Sequence, residues 1–351
     1  MSLKVFDFFS GCGGTSRGFL NAGLRPVFAL DHDPDAAATF KKNFPDVYFS
    51  YSDITKFDEN ELNLIFNEKK QNATLFCGCA PCQPFTRQNT RKPDSENDSR
   101  RTLLSRFGEL IEKFSPDYVF VENVPGIQSI TGHGILVRFR KHLEDLGYKT
   151  VIDIVESQNY GVPQRRRRLV FLASKNADID LPAPTHGPGT EIPYETVRNR
   201  ISHLPAIEAG EIHKAVPNHR AARLSSLNLQ RIITTPPEGS RADWPAELRL
   251  ACHTRTGYTG HTDVYGRMKW DEPATGLTTR CVSLSNGRFG HPEQHRAISV
   301  REAAALQTFP DDFIFHGSLN SQARQIGNAV PVLLAEVFGR HILEHMKRHQ
   351  R

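Results

Sequence analysis

A cluster of cysteines is the first feature of the chain that could do chemistry. Three of the six cysteines, Cys77, Cys79 and Cys82, lie close together in "CGCAPCQPF". Structural zinc normally takes four ligands in paired spacings, and the only distant candidates are the pair Cys252–His253 and Cys281. A disulfide within so short a segment is sterically awkward. We therefore predict a reactive thiol at Cys82, with the other two cysteines in the core and no metal bound.

Polar residues that could assist a thiol follow in two later motifs. Glu122 and Asn123 end an apolar segment in "VFVENVPG". In "QRRRRLVF", alternation along a strand places Gln164, Arg166 and Arg168 on one face. A nucleophilic thiol needs such acid–base and electrostatic partners. Taken alone, the carboxylate could instead cap the next helix, and the arginine run could be a solvated basic patch.

A glycine-rich turn, "DFFSGCGG", lies between a predicted strand and a predicted helix. Gly11, Gly13 and Gly14 would let the backbone turn tightly and approach a ligand at the carboxyl end of a sheet. Asp31 ends the second predicted strand, where a carboxylate commonly holds ribose hydroxyls. The spacing is neither a dinucleotide fingerprint nor a phosphate loop, and a purely structural turn remains an alternative.

The elements that must position these residues alternate between strand and helix. Short apolar strands such as "VFDFF", "TLFCGC" and "YVFVEN" are separated by segments with helical apolar spacing. Asp33-Pro34 is typical of a helix start, and Gly147 of a helix end. This order predicts an α/β fold with a mostly parallel sheet. From about residue 174 to 295 the chain is rich in Pro, Gly, His, Thr and Arg, which predicts a smaller, loop-rich second domain; a helix follows from Gln322 to His349.

Composition limits the classes of function. Hydrophobic residues make up 38% of the 351 residues and charged residues 24%, as in ordinary globular proteins. No uninterrupted apolar run approaches the roughly 20 residues of a membrane span, and the N-terminus is unlike a secretory signal, so we expect reduced cysteines and no membrane partner. The net charge of +5 permits a nucleic-acid partner without establishing one.

Six motifs, in order, resemble those of the DNA (cytosine-5)-methyltransferase family. They are "DFFSGCGG", "APCQPF", "ENV", "QRRRR", "REAAALQTFPDDF" and "QIGNAVP", and they span the chain almost end to end. The resemblance implies a Rossmann-like, S-adenosylmethionine-dependent methyltransferase domain with a mostly parallel sheet, at 1–174 and 321–351. It also implies a smaller target-recognition domain at 175–320.

The resemblance assigns catalytic roles. Cys82 resembles the family's nucleophile, which adds to C6 of cytosine. Glu122 resembles the residue that contacts N3 and the exocyclic amine, and Arg168 the arginine at O2. Arg166 resembles the arginine that supports the active site, and Gln83 belongs to the loop that closes on DNA.

The residues that would bind S-adenosylmethionine are assigned from their positions in the family motifs. The methyl-depleted product of this cofactor is S-adenosylhomocysteine. Family members often have Glu and Trp where this chain has Asp31 and His32, and Gly where it has Cys79. Asp31 would hold the ribose, and Phe9 would face the adenine or the sulfonium. The full set of cofactor residues is Phe9, Gly11, Gly13, Asp31, His32, Asp53, Ile54, Pro81, Leu103, Asn328 and Val330.

The implied substrate is double-stranded DNA, from which the target cytosine is extruded. Arg255, Arg267 and Lys269 are the candidate DNA-binding residues of the second domain. The resemblance further implies a prokaryotic, cytoplasmic, monomeric enzyme, associated with the nucleoid when bound to DNA, of a restriction–modification system with a cognate restriction endonuclease.

Three alternatives remain at this point. A tRNA cytosine-5 methyltransferase of the same fold shares "PCQPFTR", although the long variable region favours DNA. A catalytically silent DNA-binding relative is opposed by the presence of Cys82, Glu122 and Arg168. A dinucleotide-dependent oxidoreductase would have no role for the Pro-Cys-Gln turn.

Overall fold

A computed structural model describes residues 2–67, 72–80, 99–125, 134–251 and 263–349, with the side chains of 67 and 99–102 excepted. The chain forms two compact units. Unit 1 comprises Met1–Glu156, Arg167–Pro184 and Val330–Arg351, and unit 2 comprises Ser157–Arg166 and Thr185–Ala329.

Unit 1 is built on a sheet to which the described residues contribute seven strands. Its spatial order is β3-β2-β1-β4-β5-β8-β6, parallel except where β8 pairs antiparallel with β5 and β6. The predicted α/β fold with a mostly parallel sheet is confirmed. The strands are β1 (Lys4–Phe8), β2 (Arg25–Asp31), β3 (Tyr48–Tyr51), β4 (Thr74–Gly78), β5 (Tyr118–Asn123), β6 (Lys149–Glu156) and β8 (Arg167–Ser174).

Helices connect and flank these strands. Asp33 caps the second helix by accepting hydrogen bonds from the N–H groups of Asp35 and Ala36, and Pro34 occupies its first turn, as predicted. Gly147 follows the fifth helix with a φ of +88°. The helices of unit 1 are α1 (Gly14–Asn21), α2 (Pro34–Asn43), α3 (Glu59–Asn67), α4 (Ser99–Phe114), α5 (Ile135–Asp145) and α10 (Val332–His349).

The core of unit 1 is rich in phenylalanine. Phe6, Phe8, Phe28, Phe76 and Phe107 are all fully buried. The ring centroid of Phe8 lies 5.1–5.4 Å from the ring centroids of Phe28, Phe76 and Phe107. The rings are tilted to one another, an arrangement that favours aromatic pairing. This packing fixes the ends of β1, β2 and β4, where the candidate functional residues begin.

Unit 2 contains short elements, in keeping with its composition. They are β7 (Gln164–Arg165), α6 (Val197–Ile201), α7 (Ser226–Thr234), β9 (Ala274–Thr275), α8 (Val300–Leu306) and α9 (Leu319–Asn328). A buried ion pair contributes to its interior. Arg296 donates two 2.7 Å hydrogen bonds to the carboxylate of Glu302, which also accepts from the Ser299 N–H. Such bidentate geometry offsets the cost of burying both charges.

The boundaries of the units differ from those predicted. Residues 157–166 lie in unit 2 and residues 175–184 in unit 1. Residues 321–329, which include most of α9, lie in unit 2 although they were predicted in the catalytic domain. Residues 157–166 belong to unit 2 because Gln164 and Arg166 donate hydrogen bonds to backbone carbonyls of that unit. The helix predicted from Gln322 to His349 is broken before Pro331, since Ala329 is extended with ψ 144°.

The C-terminal stretch Leu319–His349 is long and apolar enough to cross a membrane by length and composition, with a mean hydropathy of 1.2. However, 56% of its most apolar window is buried inside the protein. In unit 1, α10 packs on α1 so closely that a Cβ added at Gly18 would collide with the carbonyl of Val332. The apolar face of α10 is therefore used for packing.

Candidate active site

The glycine-rich turn after β1 adopts the strained geometry that its sequence predicts. Gly11 has a φ of +52° and Gly13 of +99°, and Phe9 also has a positive φ, of 61°. A Cβ at Gly13 would lie 2.5 Å from Cε2 of Phe44, whereas one at Gly11 would meet no atom of the described residues within 4 Å. Gly13 is thus required by close packing, and no described residue fills the space beside Gly11.

Asp31 is anchored to this turn. Its Oδ2 accepts a 2.8 Å hydrogen bond from the Gly11 N–H, and its Oδ1 accepts one of 2.9 Å from the Asp33 N–H. Burial raises the pKa of Asp31, while the two backbone N–H groups and His32 oppose that rise. Each carboxylate oxygen keeps a further lone pair that could accept a hydrogen bond from a ligand hydroxyl group.

The other predicted cofactor residues of unit 1 lie in different environments. The His32 side chain is 68% exposed, with Nδ1 4.0 Å from the Asp31 carboxylate. Asp53 accepts hydrogen bonds from the Thr55 hydroxyl and N–H, which lower its pKa. Ile54 is a buried member of the core, and Phe9 and Leu103 pack against that core while partly exposed.

A buried carboxylate beneath the glycine turn was not singled out from the sequence. Asp7, in β1, is fully buried and accepts a 2.6 Å hydrogen bond from the Ser16 hydroxyl. Desolvation raises its pKa to about 7, although the Ser16 bond opposes the shift. A carboxylate flanked by phenylalanines in the strand "KVFDF" was the signal that could have revealed it. Through this hydrogen bond Asp7 connects β1 to α1, the helix that follows the glycine turn.

Two cysteines of the cluster lie beside this carboxylate. Cys77 is fully buried, and burial raises the pKa of its thiol well above its usual value. Its Sγ lies 3.8 Å from Sγ of the half-buried Cys79, which is 3.9 Å from the Thr15 hydroxyl. Cys77 is a core residue, and the two sulfurs point the same way.

Glu122 and Arg168 meet at the ends of β5 and β8. Arg168 Nε lies 2.6 Å from Oε1 of Glu122, with side-chain exposures of 15% and 8%. Among the described residues that oxygen makes no aligned hydrogen bond, so the contact is an ion pair whose carboxylate can still accept a hydrogen bond. The alternation of the arginine run is present, since Arg165 and Arg167 are 54% and 62% exposed.

Asn123 connects this pair to the segment that carries the cysteine cluster. Its Nδ2 donates a 3.1 Å hydrogen bond to the carbonyl of Ala80, two residues before Cys82. The strands β4 and β5 are parallel neighbours, as expected from the motif order. Cys82, Gln83 and Pro81 themselves lie outside the described residues, as does Arg255.

Arg166 is buried in unit 2 and organises backbone carbonyls there. It donates hydrogen bonds of 2.6 Å to Leu277 and 2.8 Å to Gly327. Gly327 directly precedes Asn328, which is an exposed residue of unit 2. Val330 is a buried residue of unit 1.

The prediction that Arg267 binds DNA is wrong. Its side chain is buried, and the guanidinium donates to the carbonyls of Thr235, Ile232 and His291, among others. A guanidinium whose donors are used inside unit 2 is a structural group. Lys269 is half-buried, and its Nζ donates a 2.8 Å hydrogen bond to Glu272.

The sheet order and the turn joining Gly11 to Asp31 define the class: a Rossmann-like fold of S-adenosylmethionine-dependent methyltransferases. A family model described as "C-5 cytosine-specific DNA methylase" matches residues 3–344. The chain belongs to this family.

Named relatives agree with that membership. The chain is 39% identical to "Type II methylase M.HgiDII" of Herpetosiphon aurantiacus, over 99% of this chain and 98% of that protein. It is 33% identical to "Type II methyltransferase M1.HphI" of Haemophilus parahaemolyticus, over 98% and 87%. A putative DNA modification methyltransferase encoded within an Escherichia coli prophage has the same fold, with a TM-score of 0.70 at 23% identity, covering 99% and 100% of the two chains.

Proposed function

We propose that the protein transfers a methyl group from S-adenosylmethionine to C5 of a flipped-out cytosine in a specific duplex DNA sequence. The observation that carries this proposal is the pairing of Glu122 with Arg168 beside Asn123, whose amide holds the backbone two residues before Cys82. Glu122 and Asn123 end β5, Arg168 lies near the start of the neighbouring β8, and Ala80 follows β4, the parallel neighbour of β5. Together with Cys82, they would supply a carboxylate, a cation and a thiol, the three groups that activation of a cytosine ring requires.

Each group has a separate role in the proposed reaction. The Cys82 thiolate forms a bond to C6, which makes C5 nucleophilic. Glu122 donates or shares a proton at N3 and accepts from the exocyclic amine, and Arg168 donates to O2, so charge developing on the ring is stabilised. After C5 takes the methyl group, loss of its proton and elimination of the thiolate restore the aromatic base. Arg166 supports the site through the backbone, and Gln83 acts in the loop that closes on DNA.

The residues of the glycine turn fit S-adenosylmethionine. The space beside Gly11, which no described residue fills, would give a ligand access to the backbone, and the lone pairs of Asp31 suit two ribose hydroxyls. The buried hydroxyl oxygen of Ser10, in the same turn, makes no hydrogen bond within the described structure. The cofactor supplies an electrophilic methyl group on a sulfonium.

We assign the remaining cofactor contacts by position in the family motifs. Phe9 would face the adenine or the sulfonium, and Asp53 and Ile54 would edge the adenine. Pro81, Leu103, Asn328 and Val330 complete the set, together with Gly13 and His32.

Unit 2 is proposed to recognise the duplex. Arg255 and Lys269 remain candidates for phosphate or base contacts, whereas Arg267 is excluded by its burial. The type II names of the relatives support a restriction–modification setting. We further propose a bacterial cytoplasmic enzyme that acts as a monomer, with a restriction endonuclease of matching specificity.

Covalent trapping tests the proposed chemistry. In the presence of S-adenosylmethionine, duplex DNA containing 5-fluorocytosine should form a stable adduct with the wild-type protein. Once C5 carries both fluorine and the transferred methyl group it has no proton to lose, so the thiolate cannot be eliminated. Cys82→Ala should form no adduct and transfer no methyl group, with nearly unchanged affinity for S-adenosylmethionine. Cys79→Ala is the matched control, since Cys79 is a half-buried neighbouring thiol without a catalytic role.

Two outcomes would contradict the assignment. A stable adduct with Cys82→Ala would remove Cys82 as the nucleophile. Transfer of labelled methyl groups to tRNA but not to duplex DNA, in parallel reactions, would replace the proposed substrate.

A further inference from the structure

Two glutamines, one in β7 and one directly after α8, form a buried pair inside unit 2. The side chains of Gln164 and Gln307 are both fully buried. Nε2 of Gln164 donates hydrogen bonds of 2.7 Å to Oε1 of Gln307 and 2.6 Å to the Leu306 carbonyl. Oε1 of Gln164 accepts a 3.0 Å hydrogen bond from the Leu277 N–H. The amide of Gln164 is therefore held at both ends.

The amide of Gln307 reaches the end of α9. Its Nε2 donates hydrogen bonds of 2.6 Å to the Ile326 carbonyl and 3.1 Å to the Ala329 carbonyl. Since Oε1 of Gln307 accepts from Gln164, an exchange of its amide oxygen and nitrogen would set donor against donor. The pair therefore fixes one orientation of the Gln307 amide, with both N–H groups on α9.

The end of α9 is held by other contacts of unit 2 as well. The last turn of a helix leaves carbonyls without an intrahelical partner, and Arg166 donates a 2.8 Å hydrogen bond to one of them, at Gly327. A Cβ added at Gly327 would lie 2.2 Å from the carbonyl oxygen of Thr278, so the helix packs directly on that backbone. The backbone on both sides of Asn328 is thus fixed, although Asn328 itself is exposed.

The turn after Gln307 is held in a strained conformation. The Thr308 N–H donates to the Ala305 carbonyl and the Phe309 N–H to the Ala304 carbonyl, in the pattern of a Schellman turn. Thr308 has a φ of +63° at the position where glycine is usual. A β-branched residue keeps this conformation only where the surrounding structure imposes it. The backbone that carries Gln307 is therefore fixed, like the carbonyls that Gln307 contacts.

We propose that Gln307, oriented by Gln164, is a positioning residue that fixes the end of α9 so that Asn328 is ordered before S-adenosylmethionine binds. A group that is fixed beforehand loses less conformational entropy when its ligand binds. The proposal rests on the proposed function for the assignment of Asn328 to the cofactor. It adds to that function two buried residues that act through Asn328 and not by contact with a ligand.

Cofactor affinity separates a positioning role from a merely structural one. Gln307→Met conserves the volume of the side chain and removes its donors to α9. Calorimetry on the full chain should show about a tenfold rise in the dissociation constant for S-adenosylmethionine, the scale of one lost hydrogen bond. The single-turnover rate at saturating cofactor should change little. An unchanged dissociation constant in a folded Gln307→Met protein would overturn the proposal.

Gln322→Met is the matched control for the loss of a buried amide. Gln322 is a buried residue of α9, and its Nε2 donates a 2.9 Å hydrogen bond to the Phe315 carbonyl, away from the end of the helix. This variant should lose stability as Gln307→Met does, but it should keep the wild-type affinity for S-adenosylmethionine. A comparable loss of affinity in Gln322→Met would show that destabilisation alone weakens binding, and would overturn the positioning role.

A double-mutant cycle tests whether Gln307 acts through Asn328. In an Asn328→Ala background, Gln307→Met should cause no further loss of cofactor affinity, because the group that it positions is absent. Gln164→Met should weaken binding in the wild-type background and add little to Gln307→Met. Additive losses for Gln307→Met and Asn328→Ala would overturn the proposed route.

Hydrogen exchange tests the same inference without cofactor or DNA. The Ala329 N–H donates to the carbonyls of Gln325 and Ile326 at the end of α9. Its exchange should be faster in Gln307→Met than in Gln322→Met, because the end of the helix opens more often. Equal exchange in the two variants would overturn the proposal.

These outcomes are separable from failure of the proposed function. Absence of methyl transfer by the wild-type protein, with the effects of Gln307→Met on exchange and cofactor affinity present, would reject the proposed function and keep the positioning role. Normal methyl transfer, with exchange and affinity unchanged in Gln307→Met, would reject the positioning role alone.

Discussion

Glu122 is the residue whose chemistry distinguishes a catalytic from a structural role. Glu122→Gln keeps the shape of the side chain but removes the charge that pairs with Arg168. We expect the single-turnover rate to fall by about 100-fold or more, while the dissociation constant for DNA changes little, because the contact matters most when charge develops on the ring. Rapid-quench measurements at saturating DNA would show this.

A matched control is available at another carboxylate that pairs with a member of the same arginine run. Glu156 pairs with Arg167 at 3.2 Å, but its side chain is 40% exposed. Glu156→Gln should therefore leave the single-turnover rate unchanged. Equal rates for wild type and Glu122→Gln would reduce Glu122 to a structural role.

The buried Asp7 predicts a pH dependence of stability. The pKa of Asp7 is about 7 in the folded protein, against an ordinary value of 3.8. Between these two pH values the folded state therefore binds a proton that the unfolded state has released. The resulting stabilisation is complete below about pH 4 and is lost as the pH rises through 7. Between pH 5 and pH 8, wild type should lose about 3 kcal/mol of unfolding free energy relative to Asp7→Asn.

Urea unfolding of both proteins at the two pH values measures this difference. The exposed Asp145→Asn serves as the control, because a surface carboxylate should give no such change relative to wild type. A constant difference between wild type and Asp7→Asn across the range would show that Asp7 is charged in the folded protein.

Residue types alone could predict part of the site. The end positions of β2, β4 and β5 indicated Asp31, the cysteine cluster and Glu122, because functional groups gather at strand ends in this fold. The role of Arg267 could not be predicted in this way. A surface arginine and one whose donors meet buried carbonyls are identical in sequence, and only tertiary contacts distinguish them.

Among the elements, the glycine turn is the one whose geometry the site depends on most. Gly13→Ala would force a Cβ to 2.5 Å from Phe44 at a φ of +99°, and should lower the unfolding free energy by about 2–4 kcal/mol and weaken cofactor binding. Gly11→Ala, at a φ of +52° and with no described atom near the added Cβ, should cost about 1–2 kcal/mol. Thermal unfolding with and without S-adenosylmethionine compares them, and equal losses would argue against the packing account.

Element order was predictable from sequence to a large extent, because strand and helix periods differ and Asp33-Pro34 marks a helix start. The break between α9 and α10 was missed, although Pro331 was a signal for it. The apolar spacing continues on both sides of the proline, and that continuity suggested one helix.

At the scale of the whole molecule, the choice of methylated sequence should be separable from the chemistry. Phosphate contacts contribute affinity without sequence information, whereas base-edge contacts are each worth roughly 1–3 kcal/mol of discrimination. Replacing residues 176–270 with the counterpart from a relative of known specificity should move the methylated site and leave cofactor affinity intact. An active chimera that still methylates the original site would place specificity elsewhere, in the loop after Cys82.

The existence of a second, loop-rich unit could be inferred from composition, but its boundaries could not. Gln164 belongs to unit 2 because its side chain donates to the Leu306 carbonyl, a contact 142 positions away in sequence. Pairings of such long range carry no local sequence signal.

The central claim is methylation at C5 of cytosine, and mapping the modified base tests it most directly. Methylation-free plasmid DNA incubated with the purified protein and S-adenosylmethionine would be analysed by bisulfite sequencing, with Cys82→Ala in parallel. We predict 5-methylcytosine at one fixed position of one recurring sequence with the wild-type protein and none with the variant. Absence of 5-methylcytosine, with the methyl group found instead on N4 of cytosine or N6 of adenine, would contradict the account.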